Sequence, residues 1–228
     1  MNPESQTAIL IFSRTASAES GRKRLLGNSR SNVELLQKLW MKTHQAATQT
    51  SFNVFTLTQK DQSGENFGQR LSGAIEHVFS LGYQRVITIG SDCPELSTED
   101  ISKAHALLLE GKAVIGPDKR GGTYLIGLTK AQFNKDEFQN LPWKTSSLAE
   151  NLGAMLVKVQ YKMAMLDAKS DLNNRFDVVL MSRASYSFRK LFALTFSKCY
   201  KNVDTILKQT LVDFSLILRG PPRFILPE

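Results

Sequence analysis

The sequence predicts an α/β fold containing buried strands of the parallel-sheet kind, and three observations carry that expectation. Short runs rich in β-branched residues alternate with longer stretches whose apolar residues recur at helical spacing. The run Val86–Ile89 is apolar on both of its faces, as a strand covered on both sides would be. It stops at Gly90, and the polar turn Ser91-Asp92-Cys93-Pro94 follows. In open α/β sheets, ligands bind just beyond the carboxyl ends of strands, so Asp92 stands where a catalytic or metal-binding carboxylate would stand. The plainer alternative is that Asp92 only caps a turn.

Taken in order, Ala8–Phe12 reads as the first strand. The loop from Ser13 to Leu26 carries Arg14, Arg22, Lys23 and Arg24, with Gly21 easing a tight backbone approach. Guanidinium groups fork onto phosphate oxygens, so such a loop suits a nucleotide's phosphates; a solvated basic loop is the alternative. Asn32–Ala47 reads as a helix and Phe52–Leu57 as the second strand. The turn Asp61–Asn66 leads into a helix over Phe67–Leu81. Past the central strand, Ser97 or Thr98 caps a helix reaching Leu109, with Glu99 and Asp100 at its positive end. Lys112–Ile115 and Thr123–Leu128 read as strands. Thr145 or Ser146 caps a further helix, Val157–Leu166 reads as a late edge strand, and a helix begins near Asn174. Asp171 either binds a ligand or caps that last helix.

From Ser182 the composition shifts. Basic residues interleave with Phe188, Leu191, Phe192, Leu194 and Phe196, and the spacing suits amphipathic helices over Tyr186–Tyr200 and Val203–Leu218. The expected organisation is therefore a domain over residues 1–181 and a helical extension over 182–228. The extension packs on the core, joins a second subunit as in a homodimer, or lies on an anionic membrane surface.

Composition sets outer bounds. A chain of 228 residues with 42% hydrophobic and 22% charged content suits one α/β domain with an appendage. No apolar run approaches the ~20 residues of a membrane span. The amino terminus lacks the basic and apolar regions of a signal peptide. Cys93 and Cys199 form no disulfide or metal pattern, which points to a reducing, cytoplasmic setting. The net charge of +8 is compatible with a phosphate-rich ligand, an acidic partner or a membrane surface. His44, His77 and His105 show neither triad nor ligand spacing, and no zinc, Walker or nucleic-acid motif is present, so nucleic acid is not an expected partner.

Several segments together resemble a glycosyltransferase-like family with the nucleotide-diphospho-sugar transferase (GT-A, Rossmann-like) fold, distantly related to 2-phospho-lactate guanylyltransferase. They are Gly90-Ser91-Asp92-Cys93-Pro94 between strand and helix, Lys23-Arg24-Leu25, the set Gln59, Gly64, Phe67, Gly68 and Arg70, then Gly116-Pro117-Asp118 with Gly121-Gly122-Thr123-Tyr124-Leu125-Ile126-Gly127, and Leu141-Pro142-Trp143. The resemblance spans roughly residues 8 to 181. It implies a three-layer α/β/α fold with a mostly parallel sheet and a nucleotide or nucleotide-sugar bound at the strand ends, with Mg²⁺ or Mn²⁺ held by Asp92 and Asp171. It implies phosphate contacts from Arg14, Arg22, Lys23, Arg24 and Ser91, and closeness of Gly121, Gly122 and Tyr124 to a bound sugar or acceptor. Arg70 either contacts the ligand or pairs with a surface acid, and Trp143 either stacks on the ligand or packs at the core edge.

The chain departs from the family at Lys119, Arg120 and Asn173, each of which replaces an acid. Asp118 is the acid left to stand in near the acceptor, so Asp92 and Asp118 are the candidate catalytic residues. Three functions follow as expectations: a metal-dependent glycosyltransferase, a nucleotidyltransferase acting on an NTP and a small phosphorylated or carboxylated acceptor, or a catalytically reduced domain that only binds.

Overall fold

The computed structural model describes residues 6–185 and Phe188. Among them, six strands form one sheet in the order β2-β1-β3-β5-β4-β6. They are β1 (Thr7–Phe12), β2 (Asn53–Leu57), β3 (Arg85–Ile89), β4 (Ala113–Pro117), β5 (Thr123–Thr129) and β6 (Met163–Met165). Parallel pairs join β1 to β2, β1 to β3 and β4 to β6; β5 pairs antiparallel with both β3 and β4. The α-helices among the described residues are α1 (Ala16–Ser20), α2 (Ser29–Thr48), α3 (Phe67–Ser80), α4 (Thr98–Leu109), α5 (Lys135–Gln139), α6 (Leu148–Lys158) and α7 (Arg175–Ala184).

Alternation along the strands builds the three layers. Ala8, Leu10 and Phe12 of β1 face Leu71, Ile75 and Val78 of α3, Phe138 of α5, and Leu152 and Leu156 of α6. Ile9 and Ile11 face the other way, onto Ala46 and Ala47 of α2 and Ile101, Ala104 and Leu108 of α4. A third cluster joins Leu25, Leu35 and Leu39 to Leu172, Val178, Met181 and Phe188, which seats α7 beside α2.

Among the described residues the expected elements are present, with four differences; the helices expected over Tyr186–Tyr200 and Val203–Leu218 lie outside the described residues, Phe188 apart. The loop after β1 folds into α1, capped by Thr15, whose side chain accepts from Ala18 N. Helix α5 was not expected; it offers only Phe138 to the core, which leaves no apolar period to read. The edge strand expected over Val157–Leu166 shrinks to Met163–Met165, because α6 runs on to Lys158 and leaves the β-branched Val157 and Val159 exposed. The residue at the amino-terminal cap of α6 is Ser147, since Thr145 turns its hydroxyl to Pro142 O.

Ser97 caps α4 in a reciprocal capping box with Asp100. Asn174 does the same for α7 with Asp177, so Asp171 is not that helix's cap. Helix α7 continues past residue 181, with Ser182 buried and its hydroxyl donating to Val178 O. Of the apolar residues expected to bury in the extension, Phe188 is buried; the others lie outside the described residues. No helix among the described residues is long and apolar enough to cross a membrane.

Candidate active site at the strand ends

A cavity of about 620 Å³ opens where β1 and β3 end and β5 begins. Phe12 and Ser13 close β1, Ile89 to Cys93 close β3, and Thr123 to Ile126 open β5, so strand direction alone delivers these residues to one place. Arg14, Glu19, Arg22, Arg70 and Arg120 line it, as do Asp92, Asp118 and Asp171. Phe12, Phe67, Leu71 and Trp143 supply an apolar part.

Of the residues expected at the site, Arg14, Arg22, Arg70, Ser91, Asp92, Asp118, Gly122, Tyr124, Trp143 and Asp171 line the cavity. Lys23 reaches it through Asp92: its Nζ lies 2.7 Å from Asp92 Oδ2 and 3.8 Å from Glu19 Oε1, with the side chain only 10% exposed. Arg24 is exposed and outside the lining. Gly121 is also outside it. With φ +86°, a Cβ there would stand 1.7 Å from Ser146 O, so what lies close to this glycine is the backbone before α6.

Several expected ligand contacts have protein partners. Arg70 Nη1 donates to Gly64 O and Glu65 O, neither of them an acid side chain. Trp143 Nε1 donates to Phe138 O, and its ring packs on Phe67 and Phe138. Gly68 makes room for this packing, since a Cβ would meet Gln139 O and the Trp143 ring. The Tyr124 hydroxyl donates to Asp167 O, and burial pushes its ionisation well above the usual range.

Arg120 forks onto Asp177, whose carboxylate also accepts from the backbone of Asn173 and Asn174. The charge reversal expected toward an acceptor is thereby neutralised inside the protein. Arg120 fastens the β4–β5 turn to the start of α7, although it still borders the cavity.

Asp118 is buried and holds its own turn. Its Oδ2 accepts from Arg120 N at 3.1 Å and its Oδ1 from Asp171 N at 3.1 Å. Asp171 Oδ1 is buried with no hydrogen-bond partner. Its carboxyl is raised to about 7, first by burial, then by the Asp92 and Asp118 charges, while Lys23 and Arg120 pull the other way. The segment carrying Asp171 is clamped in place: Leu172 N donates to Asp92 O, and Lys169 reaches both Asp100 and Glu95 O.

These residues fit a divalent metal poorly as arranged. Such an ion wants several free oxygens. Asp118 accepts one backbone N–H at each oxygen, Lys23 stands against Asp92, and Asn173 is exposed. Among the described residues, no three His, Cys, Asp or Glu side chains converge on a metal position.

Lys144 also lines the cavity and was not singled out from sequence. It adopts φ +66°, rare for a residue with a side chain, and its ammonium lies 5.3 Å from the centre of the Phe67 ring. Its signal was available: it follows Trp143, where the resembling family carries a serine.

The strand order, the antiparallel strand β5 and the strand-end cavity define a nucleotide-diphospho-sugar transferase-type α/β fold. Over residues 29–145 the chain matches, and belongs to, the family described as "uncharacterized protein conserved in bacteria (DUF2064)". It is similar to a structure from Desulfovibrio desulfuricans G20 assigned as a nucleotide-diphospho-sugar transferase: TM-score 0.76, 23% identity, 90% of this chain and 98% of that one covered. It is similar more distantly to 4-diphosphocytidyl-2C-methyl-D-erythritol synthase from Anaerococcus prevotii DSM 20548, with TM-score 0.50, 10% identity, and 79% and 98% of the two chains covered. At these identities the likeness is one of fold. No curated protein matches the chain.

Proposed function

We propose that the chain is a nucleotide-binding transferase that takes a nucleoside diphosphate derivative, a nucleotide-sugar first among them, into the strand-end cavity. The observation that carries this reading is the mixed chemistry of the cavity lining. Its apolar and aromatic residues suit a base; Arg14 and Arg22 suit phosphates; Ser91, Gly122 and the acids suit a hydroxyl-rich group. The volume, about 620 Å³, matches the ~300–1,000 Å³ typical of ligand pockets. The fold likeness to a structure assigned as a nucleotide-diphospho-sugar transferase supports the same ligand class.

In this reading the cationic residues neutralise charge that gathers on the departing phosphate, a contribution that is worth most in a water-poor site. Of the two candidate catalytic acids, Asp92 is the more exposed to an acceptor, because Asp118 is buried in its own turn.

A thermal-shift screen against nucleoside diphosphates, NTPs and nucleotide-sugars tests the reading. A shift with the diphosphate series supports it, and none with any member sinks it. Release of nucleoside diphosphate from a nucleotide-sugar identifies glycosyl transfer, whereas pyrophosphate from an NTP identifies nucleotidyl transfer. A second reading, a domain that binds without catalysing, is favoured by the engagement of both candidate catalytic acids with the protein itself. It predicts binding with neither product.

A further inference from the structure

We infer that Lys23 is the resident cation of the strand-end carboxylates, standing in the place of a divalent metal, and that the proposed nucleotide ligand is received without one. The inference rests on the nucleotide reading for its ligand, but the placement of Lys23 stands by itself. A hard dication such as Mg²⁺ binds carboxylate oxygen at about 2.1 Å. Lys23 Nζ lies 2.7 Å from Asp92 Oδ2, so an ion bound to that oxygen from the same side would overlap the ammonium. Two positive groups cannot share that space, and at such separations their repulsion is strong in a partly buried site.

The lysine is held there. Its side chain is 10% exposed, and Glu19 of α1 supports the ammonium from the other side at 3.8 Å. Glu19 is steadied in turn by Arg14, 3.7 Å away, so α1 fixes the cation with respect to the end of β3. The acids facing Lys23 from the neighbouring elements are Asp92 after β3 and Asp171 before α7, with Asp118 of the β4–β5 turn behind them. Asp118 is turned into its own loop, each of its oxygens accepting one backbone N–H. An ammonium also suits the cavity's task. It is a compact, fixed charge against Asp92, while Arg14 and Arg22 line the cavity itself.

The test is a titration of the full chain with Mn²⁺ followed by electron paramagnetic resonance, without nucleotide. Wild-type protein should leave the ion free. Lys23→Met, which keeps the buried stem and removes the charge, should bind Mn²⁺ about tenfold more tightly or better, since the repulsion is gone. Lys23→Arg should exclude the ion as wild type does, and adding Asp92→Asn to Lys23→Met should abolish the gain. Wild-type binding as tight as that of Lys23→Met, or a Lys23→Met protein that folds and binds no Mn²⁺, overturns the inference. If Lys23→Met does not fold, the wild-type titration decides: Mn²⁺ taken up below millimolar concentration overturns the assignment, and exclusion by both wild type and Lys23→Arg upholds it. Because no nucleotide is present, this result is independent of whether a nucleoside diphosphate binds. For the ligand arm, affinity of the wild-type chain for a nucleoside diphosphate should be unchanged by EDTA, and a tenfold loss would overturn metal-free binding.

Discussion

Replacing Asp171 with asparagine should stabilise the protein by an amount that grows as pH rises from about 4 to 7 and then levels off. The carboxyl ionises at an ordinary 3.8 in the unfolded chain but at about 7 in the fold. Between those values the folded protein keeps a proton that the unfolded chain has released. The favourable contribution is therefore fully present below about 3.8 and lost as pH rises through 7. A rise from 3.8 to about 7 corresponds to at most about 4 kcal/mol. Lys23 and Arg120 already offset part of the burial cost, so the realised effect should be smaller. The asparagine side chain has nearly the same shape and no charge to bury. In a chain of this size each kcal/mol moves the melting temperature by about 2–4 °C. Calorimetry from pH 4 to 8 at constant ionic strength, with chelator present, should show the two proteins melting together at pH 4. The variant should lead by on the order of 5–10 °C at pH 8. A gap that stays flat with pH, or a variant that melts lower at pH 8, would refute the claim that burial and the neighbouring acids hold this carboxyl high.

Other expectations follow from the same neighbourhood. Gly121→Ala should cost about 3 kcal/mol or more in denaturant unfolding, since φ +86° and the approach of Ser146 O both oppose a side chain. Gly122→Ala, whose Cβ would meet nothing closer than 3.8 Å, should cost about 1 kcal/mol or less. Tyr124→Phe should lose about 1 kcal/mol with the hydrogen bond to Asp167 O and leave nucleotide affinity unchanged by titration calorimetry; a large affinity loss would move the hydroxyl into the ligand site. Arg14→Ala with Arg22→Ala should weaken diphosphate binding and flatten its salt dependence, because exposed charges are screened over about 8–10 Å at ordinary ionic strength.

The elements legible in the sequence were those with a long apolar signal. Val86–Ile89 and Ala8–Phe12 read as strands because every residue in them is apolar or β-branched, and the fold covers both faces of each. Helices α2, α3 and α4 announced themselves by period and, for α4, by the Ser97–Asp100 cap. Helix α5 had one buried residue in five and could not be read that way. The false length of the last strand came from Val157 and Val159, whose β-branching favours strands but which lie exposed around the end of α6. At the cavity, Asp92 was placed by its position just past a strand and Asp171 by the family resemblance, and both line it. The pairings at the site were not legible. Lys23 meets Asp92, and Arg120 meets Asp177, across most of the fold's connectivity. No local spacing encodes those encounters, so the sequence shows Arg120 only as a replaced acid and not as the brace to Asp177.

Cys93 follows Asp92 directly, is buried at 4% exposure, and has its thiol pushed up to about 12, chiefly by burial and then by Asp171. Only a thiolate reacts readily with an alkylating reagent. In the closed protein this sulfur is thus both shielded and protonated, and modification has to wait for the turn after β3 to part from the core. The rate at which a maleimide adds to Cys93, resolved from Cys199 by peptide mass spectrometry, is consequently a clock for the local opening of the very turn that carries the aspartate. A ligand that settles into the cavity should slow that clock, which gives binding a readout that needs neither a chromophore nor a known reaction.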